Sequence, residues 1–315
     1  MVLNTTLFLS SVFYLLYFCF VQKIRKIKYK EIDFKKYDLC IKNAKNTRFE
    51  AFSWYLNLIT NKNWNVLVLN DYQAVLPLPI QRVKRKLLKK MVVQPHYCQQ
   101  LGVFYNQISK KEEEVFLDFF KKEDVLQYQF NTDNTFVLDA YKEQISIKNN
   151  YVLDLSRPYN EIQKNYKKGL KQNIKKAEKA SLTITKDVDF NAFKTLKLQN
   201  SVHKIKAKDY KKMEELTDAI IQKGKGNFFA VYQQNKITTV AFYIITKKRI
   251  IYLLSATNQT GKKNGATPFL MDYIIKNHCQ QPKILDFEGS SIKGIADFFK
   301  SFGATNEPYY AFIKN

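Results

Sequence analysis

The sequence predicts an α/β (α+β) chain of two domains, each a mixed, mostly antiparallel sheet flanked by helices. Three observations lead there. The 315 residues are 45% hydrophobic and 15% aromatic, enough for one large or two ordinary cores. Runs with helical spacing alternate with short Val/Leu/Ile runs of strand character in both halves. The pair Asn149-Asn150 divides them, so the expected parts are an apolar segment 1–22, a first domain 23–150 and a second domain 151–315.

Met1 to Gln22 carries no charge, and the basic residues Lys23, Arg25, Lys26, Lys28 and Lys30 follow at once. About 20 apolar residues span a bilayer, and positive charge stays on the cytoplasmic side. Residues 5–21 therefore read as a membrane anchor that leaves the body cytoplasmic on the inner face. A start assigned too far upstream reads equally well.

In the first domain, Phe34–Asn43 and Phe49–Thr60 have helical spacing. Asn65–Asn70 and Gln73–Ile80 are strand-like and joined across Asp71-Tyr72, and Arg82–Lys90 is a basic loop. A helix over Ser109–Lys122 precedes strands at Val125–Phe130 and Thr135–Leu138. The second domain opens on a strand at Tyr151–Leu155. Ser156 and Pro158 then start one basic helix, Tyr159–Lys179. A strand at Ser181–Thr185 and helices over Phe190–Val202 and Lys208–Lys223 follow. Phe228–Tyr232, Ile237–Thr246 and Arg249–Leu254 form an antiparallel meander. A loop Thr257–Gly265, a helix Ala266–His278, a strand Ile284–Phe287, a helix Ile292–Phe302 and a last strand Tyr309–Ile313 complete the chain.

The formal charge is +24, which suits a polyanionic partner such as tRNA, a nucleotide-linked substrate or an anionic membrane. Apart from Arg25, Arg48, Arg82, Arg85, Arg157 and Arg249, all 52 basic residues are lysine, a skew that compositional bias explains equally well. Cys19, Cys40, Cys98 and Cys279, with His96, His203 and His278, have no metal-ligand spacing, so no metal site is expected.

Meander, glycine-bearing loop, helix, strand, helix, strand is the order of the GNAT acyltransferase core. GKKNGATPFLM, Gly261 to Met271, resembles a degenerate GNAT pyrophosphate loop, and FFKSFGA, Phe298 to Ala304, resembles the GNAT helix beside the thioester pocket. LDLS with KKGLKQNIKKAEKA, DFEGSSIKGIADFFKSFGA (Asp286 to Ala304), FSWYL (Phe52 to Leu56) and QQLGVF (Gln99 to Phe104) are similar to the FemAB-like branch, which uses this fold twice. The resemblance covers about residues 23–315 and implies an acyl- or aminoacyltransferase. It implies no bound cofactor, with acyl-CoA or aminoacyl-tRNA as co-substrate. The acceptor it implies is a small-molecule or envelope-precursor amine.

Gly261, Lys262, Lys263, Gly265, Ala266 and Thr267 are then the donor-binding residues, because small residues and a helix N-terminus welcome phosphate. Glu288 and Asp286 end a core strand where a carboxylate would position or deprotonate an amine, or would simply shape the turn. Tyr309 is a candidate acid to the leaving group, or a core aromatic. Gln99, Gln100, Ser290 and Phe299 are expected to line an acceptor cleft between the domains. For Gln99 and Gln100 a strand edge is an equal reading, and for Ser290 a helix cap is the plainer one. Lys167, Lys168, Lys171, Lys175 and Lys176 offer a face for phosphates or a solvated surface. From a different class comes a non-catalytic duplicated module that binds a nucleotide-linked ligand or RNA.

Overall fold

The computed structural model describes residues 24–186, 188–200, 205–289 and 292–314. The expected anchor at residues 5–21, and Ser290, lie outside the described residues. The chain divides into two compact units, one running to Ile145 and taking up again from Phe312, the other Ser146–Ala311. The tail thus joins the first unit rather than the second.

The first sheet's strands are β1 (Ile24–Ile27), β2 (Trp64–Leu69), β3 (Ala74–Val83), β4 (Lys89–Val93), β5 (Phe104–Tyr105), β6 (Val125–Phe130) and β7 (Ile145–Lys148). They lie in the sheet order β1-β2-β3-β4-β6, with β5 beside β3. β1 to β4 are antiparallel, whereas β4 and β6 are parallel. The chain's last strand, Tyr309–Ile313, enters between β6 and β7. The helix Lys110–Lys121 begins in a capping box between Ser109 and Glu112 and buries Phe116 and Phe120. Thr135–Leu138 is not a strand. Val137–Ala140 is a short helical turn, because the buried amides of Asn131 and Asn134 bind Leu101 and Val103 backbone and curl the chain there.

The second unit carries β8 (Tyr151–Asp154), β9 (Thr183–Thr185), β10 (Gly226–Gln233), β11 (Lys236–Ile245), β12 (Arg249–Thr257), β13 (Ile284–Asp286) and β14 (Thr305–Asn306). Their order is β14-β8-β13-β12-β11-β10-β9. β12 and β13 are parallel, joined by the helix Ala266–His278, and the other pairs are antiparallel. The long basic helix is two helices, Tyr159–Lys164 and Lys168–Lys179. The break at Lys167 turns its N–H to the Ser301 carbonyl, while Tyr166 drops into the core, 3% exposed. Along the second helix Leu170, Ile174 and Ala177 face inward, the stripe its spacing implies. The core between these helices and the sheet gathers Leu153, Tyr243, Ile250, Leu270, Ile274, Phe287 and Phe302.

Candidate functional site

In the second unit, β12 and β13 part company. Their parallel pairing ends at Ile251 and Asp286, yet β12 runs on to Thr257. Leu253 is an extra residue against β11, since Tyr243 faces Tyr252 and Phe242 faces Leu254. Such a bulge bends its strand and redirects backbone groups. A cavity of about 670 Å³ opens along this stretch of β12.

Its walls differ in chemistry. Tyr252, Ile295 and Phe298 contribute aromatic and aliphatic groups. Asn173, Lys197, Asn200 and Lys262 supply amides and two cations. Lys197 is half-buried, which pulls its pKa below the usual lysine value, and its Nζ lies 3.5 Å from the Ser255 carbonyl. Burial pushes the Tyr252 phenol up to about 12, against a hydrogen bond with Ser255 that lowers it. The cavity also meets the start of the helix Ala266–His278, at Gly265, Thr267 and Pro268. First-turn N–H groups have no intrahelical partner and carry the positive end of the dipole. The wall therefore combines cations and a helix N-terminus with apolar groups.

The loop expected over Thr257–Gly265 contains a helical turn, Gln259–Lys263, capped by Asn258 accepting from the Gly261 N–H at 2.8 Å. Gly261, Lys262, Gly265 and Thr267 reach the cavity. Lys263 points to solvent and Ala266 is buried, so these two are not part of its wall. The glycines have a reason other than the one expected. A Cβ on Gly265, at φ +71°, would meet the Asn173 carbonyl oxygen at 2.4 Å, and one on Gly261 would meet the Thr238 oxygen at 2.6 Å. Both are small because the protein's own backbone passes close. Gly294 is different: a Cβ there has nothing within 4 Å, and the residue lines the cavity.

Of the carboxylates, Asp286 is 5% exposed, paired with Arg249, and accepts the Glu288 N–H at 2.8 Å. Arg249 also grips Glu307 with two hydrogen bonds of 3.0 and 2.9 Å. Asp286 is thus held as a structural ion pair that fixes the next turn, which is not the posture of a free base. Glu288, in that turn, has φ +57°, a left-handed conformation uncommon outside glycine. Its charge is felt by Tyr309, whose pKa burial and Glu288 both raise. Glu288 sits just beyond the point where β13 leaves β12.

Phe299 is 5% exposed and stacks on Phe287 at 5.0 Å. Adjacent residues on a helix point about 100° apart, so its neighbour Phe298 faces the cavity instead. In the first unit, Gln100 is 2% exposed and its carbonyl receives Arg48 at 3.0 Å, while its amide donates to Gln99 at 2.8 Å. That is a structural assignment for Gln100.

Sequence reasoning missed Lys197, Asn200, Asn173 and Gly294. Lys197 follows Phe193 and Leu196 along a helix face that packs on the sheet, and a lysine beside such a stripe was the available signal. It also missed Asp272, 8% exposed, which accepts from Tyr159 at 2.9 Å and Tyr166 at 2.9 Å. A carboxylate inside ATPFLMDYII could have been noticed.

No family model and no curated protein matches the chain. Solved structures do. FemX shares 13% identity over 92% of this chain and 98% of its own, with a TM-score of 0.63. A conserved protein of unknown function from Bacteroides thetaiotaomicron shares 12% over 91% and 100%, with a TM-score of 0.57. The C-terminal DUF2156 domain of a putative lysylphosphatidylglycerol synthetase from Agrobacterium fabrum shares 12% over 90% and 92%, with a TM-score of 0.50. The fold is shared with these structures, FemX among them.

Proposed function

We propose that this chain is an acyltransferase of GNAT/FemAB type, moving an acyl or aminoacyl group from a phosphate-bearing donor to an amine. The observation that carries the reading is the second-unit cavity, whose wall combines Lys197, Lys262 and a helix N-terminus with the aromatic rings of Tyr252 and Phe298. Phosphates suit the cations and the helix N-terminus. The backbone of β12 beyond Ile251, freed by the departure of β13, offers N–H and C=O groups to an extended amide-containing arm. Acyl-CoA and aminoacyl-tRNA both have this distribution of charge and carbonyl.

In the reaction, the amine nitrogen bonds to the acyl carbon and the carbon–sulfur or carbon–oxygen bond to the donor breaks. We assign Glu288 to take the proton the amine loses and Tyr309 to return one to the leaving group. Asp286 positions Glu288 through its backbone N–H. Alignment supplies most of the acceleration, since attack on an activated ester is already favourable. The acceptor we assign is a small-molecule or envelope-precursor amine. Residues 5–21, as an anchor, would hold the site at the inner membrane face. The fold shared with a putative lysylphosphatidylglycerol synthetase domain supports an aminoacyl donor.

Calorimetric titration of the full chain with acetyl-CoA, and filter binding with charged tRNA, test this. One donor is expected to bind saturably, to weaken in Lys262→Glu, and to be retained in Glu288→Gln while turnover is lost. Failure of both donors to bind folded protein would refute the reading.

A further inference from the structure

In the first unit, the β3–β4 hairpin breaks two local rules at once. Its loop is a 3-10 turn, Lys84–Lys86, ended by Leu87 at φ +51° and Leu88 at φ +59°. The Leu88 N–H closes it on the Val83 carbonyl at 3.1 Å. Left-handed residues at such a stop are normally glycine or asparagine. Among the described residues with positive φ outside glycine, these two are the only aliphatic ones; the β10–β11 hairpin uses Gln234-Asn235. Burial does not compensate, for Leu87 is 98% exposed and Leu88 53%.

The second broken rule is electrostatic. The register sets Arg82 directly opposite Lys90. Like charges facing across an antiparallel pair repel. Lys89 is paired with Asp124 at 2.9 Å, but neither Arg82 nor Lys90 has a carboxylate partner among the described residues. Lys84 and Lys86, also exposed, stand beside the leucines. Behind the tip, Arg82 and Lys90 line a cavity of about 420 Å³ with Thr60, Asn61, Asn63 and Gln81.

We propose that this hairpin docks on an anionic lipid bilayer, with Leu87 and Leu88 entering the acyl boundary and Arg82 and Lys90 holding lipid phosphate. Departures from local preference with no return inside the fold point to a partner outside it. The chemistry selects lipid: apolar groups at the extreme tip, cations immediately behind, and polar groups deeper still match the layering of a membrane surface. Nucleic acid would use the cations but leave the leucines in water. The proposal does not rest on the transfer chemistry and differs from an N-terminal span.

The test uses the full chain with vesicles of phosphatidylcholine alone or mixed with phosphatidylglycerol. In Leu87→Trp, indole emission is expected to shift to the blue and be quenched by brominated lipid on the mixed vesicles only. The pair Leu87→Asn, Leu88→Gly suits the left-handed turn better and is expected to keep the fold. It should weaken partition into anionic vesicles by about tenfold or more, the scale of removing a buried leucine. Each of Arg82→Gln and Lys90→Gln should weaken it about fivefold in low salt, near the value of one interfacial charge. No partition into anionic vesicles, or partition with the indole neither shifted nor quenched, would overturn the proposal. So would tight binding to a short RNA that the leucine replacements leave unchanged, which would give the basic edge to nucleic-acid phosphates.

Discussion

Replacing Gly265 with alanine should destabilise the protein through packing alone, with no ligand involved. The new Cβ would lie 2.4 Å from the Asn173 oxygen and 3.0 Å from its carbonyl carbon, both backbone atoms of the helix Lys168–Lys179. A side chain cannot rotate out of that contact, so the backbone of one helix must shift. The left-handed φ of +71° adds about 1–2 kcal/mol for any residue with a Cβ. Overpacking adds about 1–3 kcal/mol. The total, about 2–5 kcal/mol, is a large part of the roughly 5–15 kcal/mol that holds a domain folded. Thermal melts should fall by roughly 5–20 °C, and the urea midpoint should fall with them. Gly294→Ala is the contrast. Its Cβ meets nothing within 4 Å and sits in a helix, so stability should hold or rise by about 0.5–1 kcal/mol while donor affinity drops. A Gly265→Ala protein melting within about 1 °C of the parent would refute the packing account. A Gly294→Ala protein with undiminished donor affinity would show that the cavity is not where the donor lies.

Other expectations concern charge and turn chemistry. Arg249→Met leaves the buried Asp286 and the part-buried Glu307 without their cation and should cost about 3–5 kcal/mol, read from urea denaturation. Burial raises the Asp272 pKa, with the Tyr159 and Tyr166 hydroxyls opposing. The folded state therefore holds this proton more tightly than the unfolded chain, whose carboxyl titrates near about 3.9, and stability from this group is lost as pH rises through the folded value. Stability profiles of the parent and Asp272→Asn should diverge upward across that window, and parallel profiles would contradict it. Leu87→Asn with Leu88→Gly removes aliphatic side chains from two left-handed positions and should raise stability by about 1–2 kcal/mol in a thermal melt, after the entropy cost of glycine.

Where a single periodic pattern governs a segment, the sequence was readable. Phe34–Asn43 and Ala266–His278 are helices, and Val125–Phe130 is a strand, at the residues their spacing implies. It misled where side chains bind backbone or where a distant segment intervenes. Asn131 and Asn134 override the strand-like TFVL run, and the Ser301 carbonyl draws Lys167 out of a continuous helix. The loop expected to bind the donor was read from its glycines, yet Gly261 and Gly265 answer to Thr238 and Asn173. No periodicity encodes those neighbours, because they come from other elements. Lys197 and Asn173 were invisible for the same reason, being brought to the cavity by tertiary packing alone.

The seat of the last strand between β6 and β7 has a consequence for how the protein is made. During synthesis β6 and β7 emerge with a gap where a strand belongs, and its occupant, Tyr309–Ile313, follows the last strand of the second sheet, Thr305–Asn306. At about 5–20 residues per second the open edges wait roughly 10–30 s. Throughout that interval they are templates for any extended segment nearby. Nor does a single cut in the gene liberate both sheets whole: severing the chain after Lys148 leaves the first sheet without the strand between β6 and β7. Restoring it as a separate peptide spanning Glu307–Lys314 would turn the tail into a reporter of the first unit's assembly.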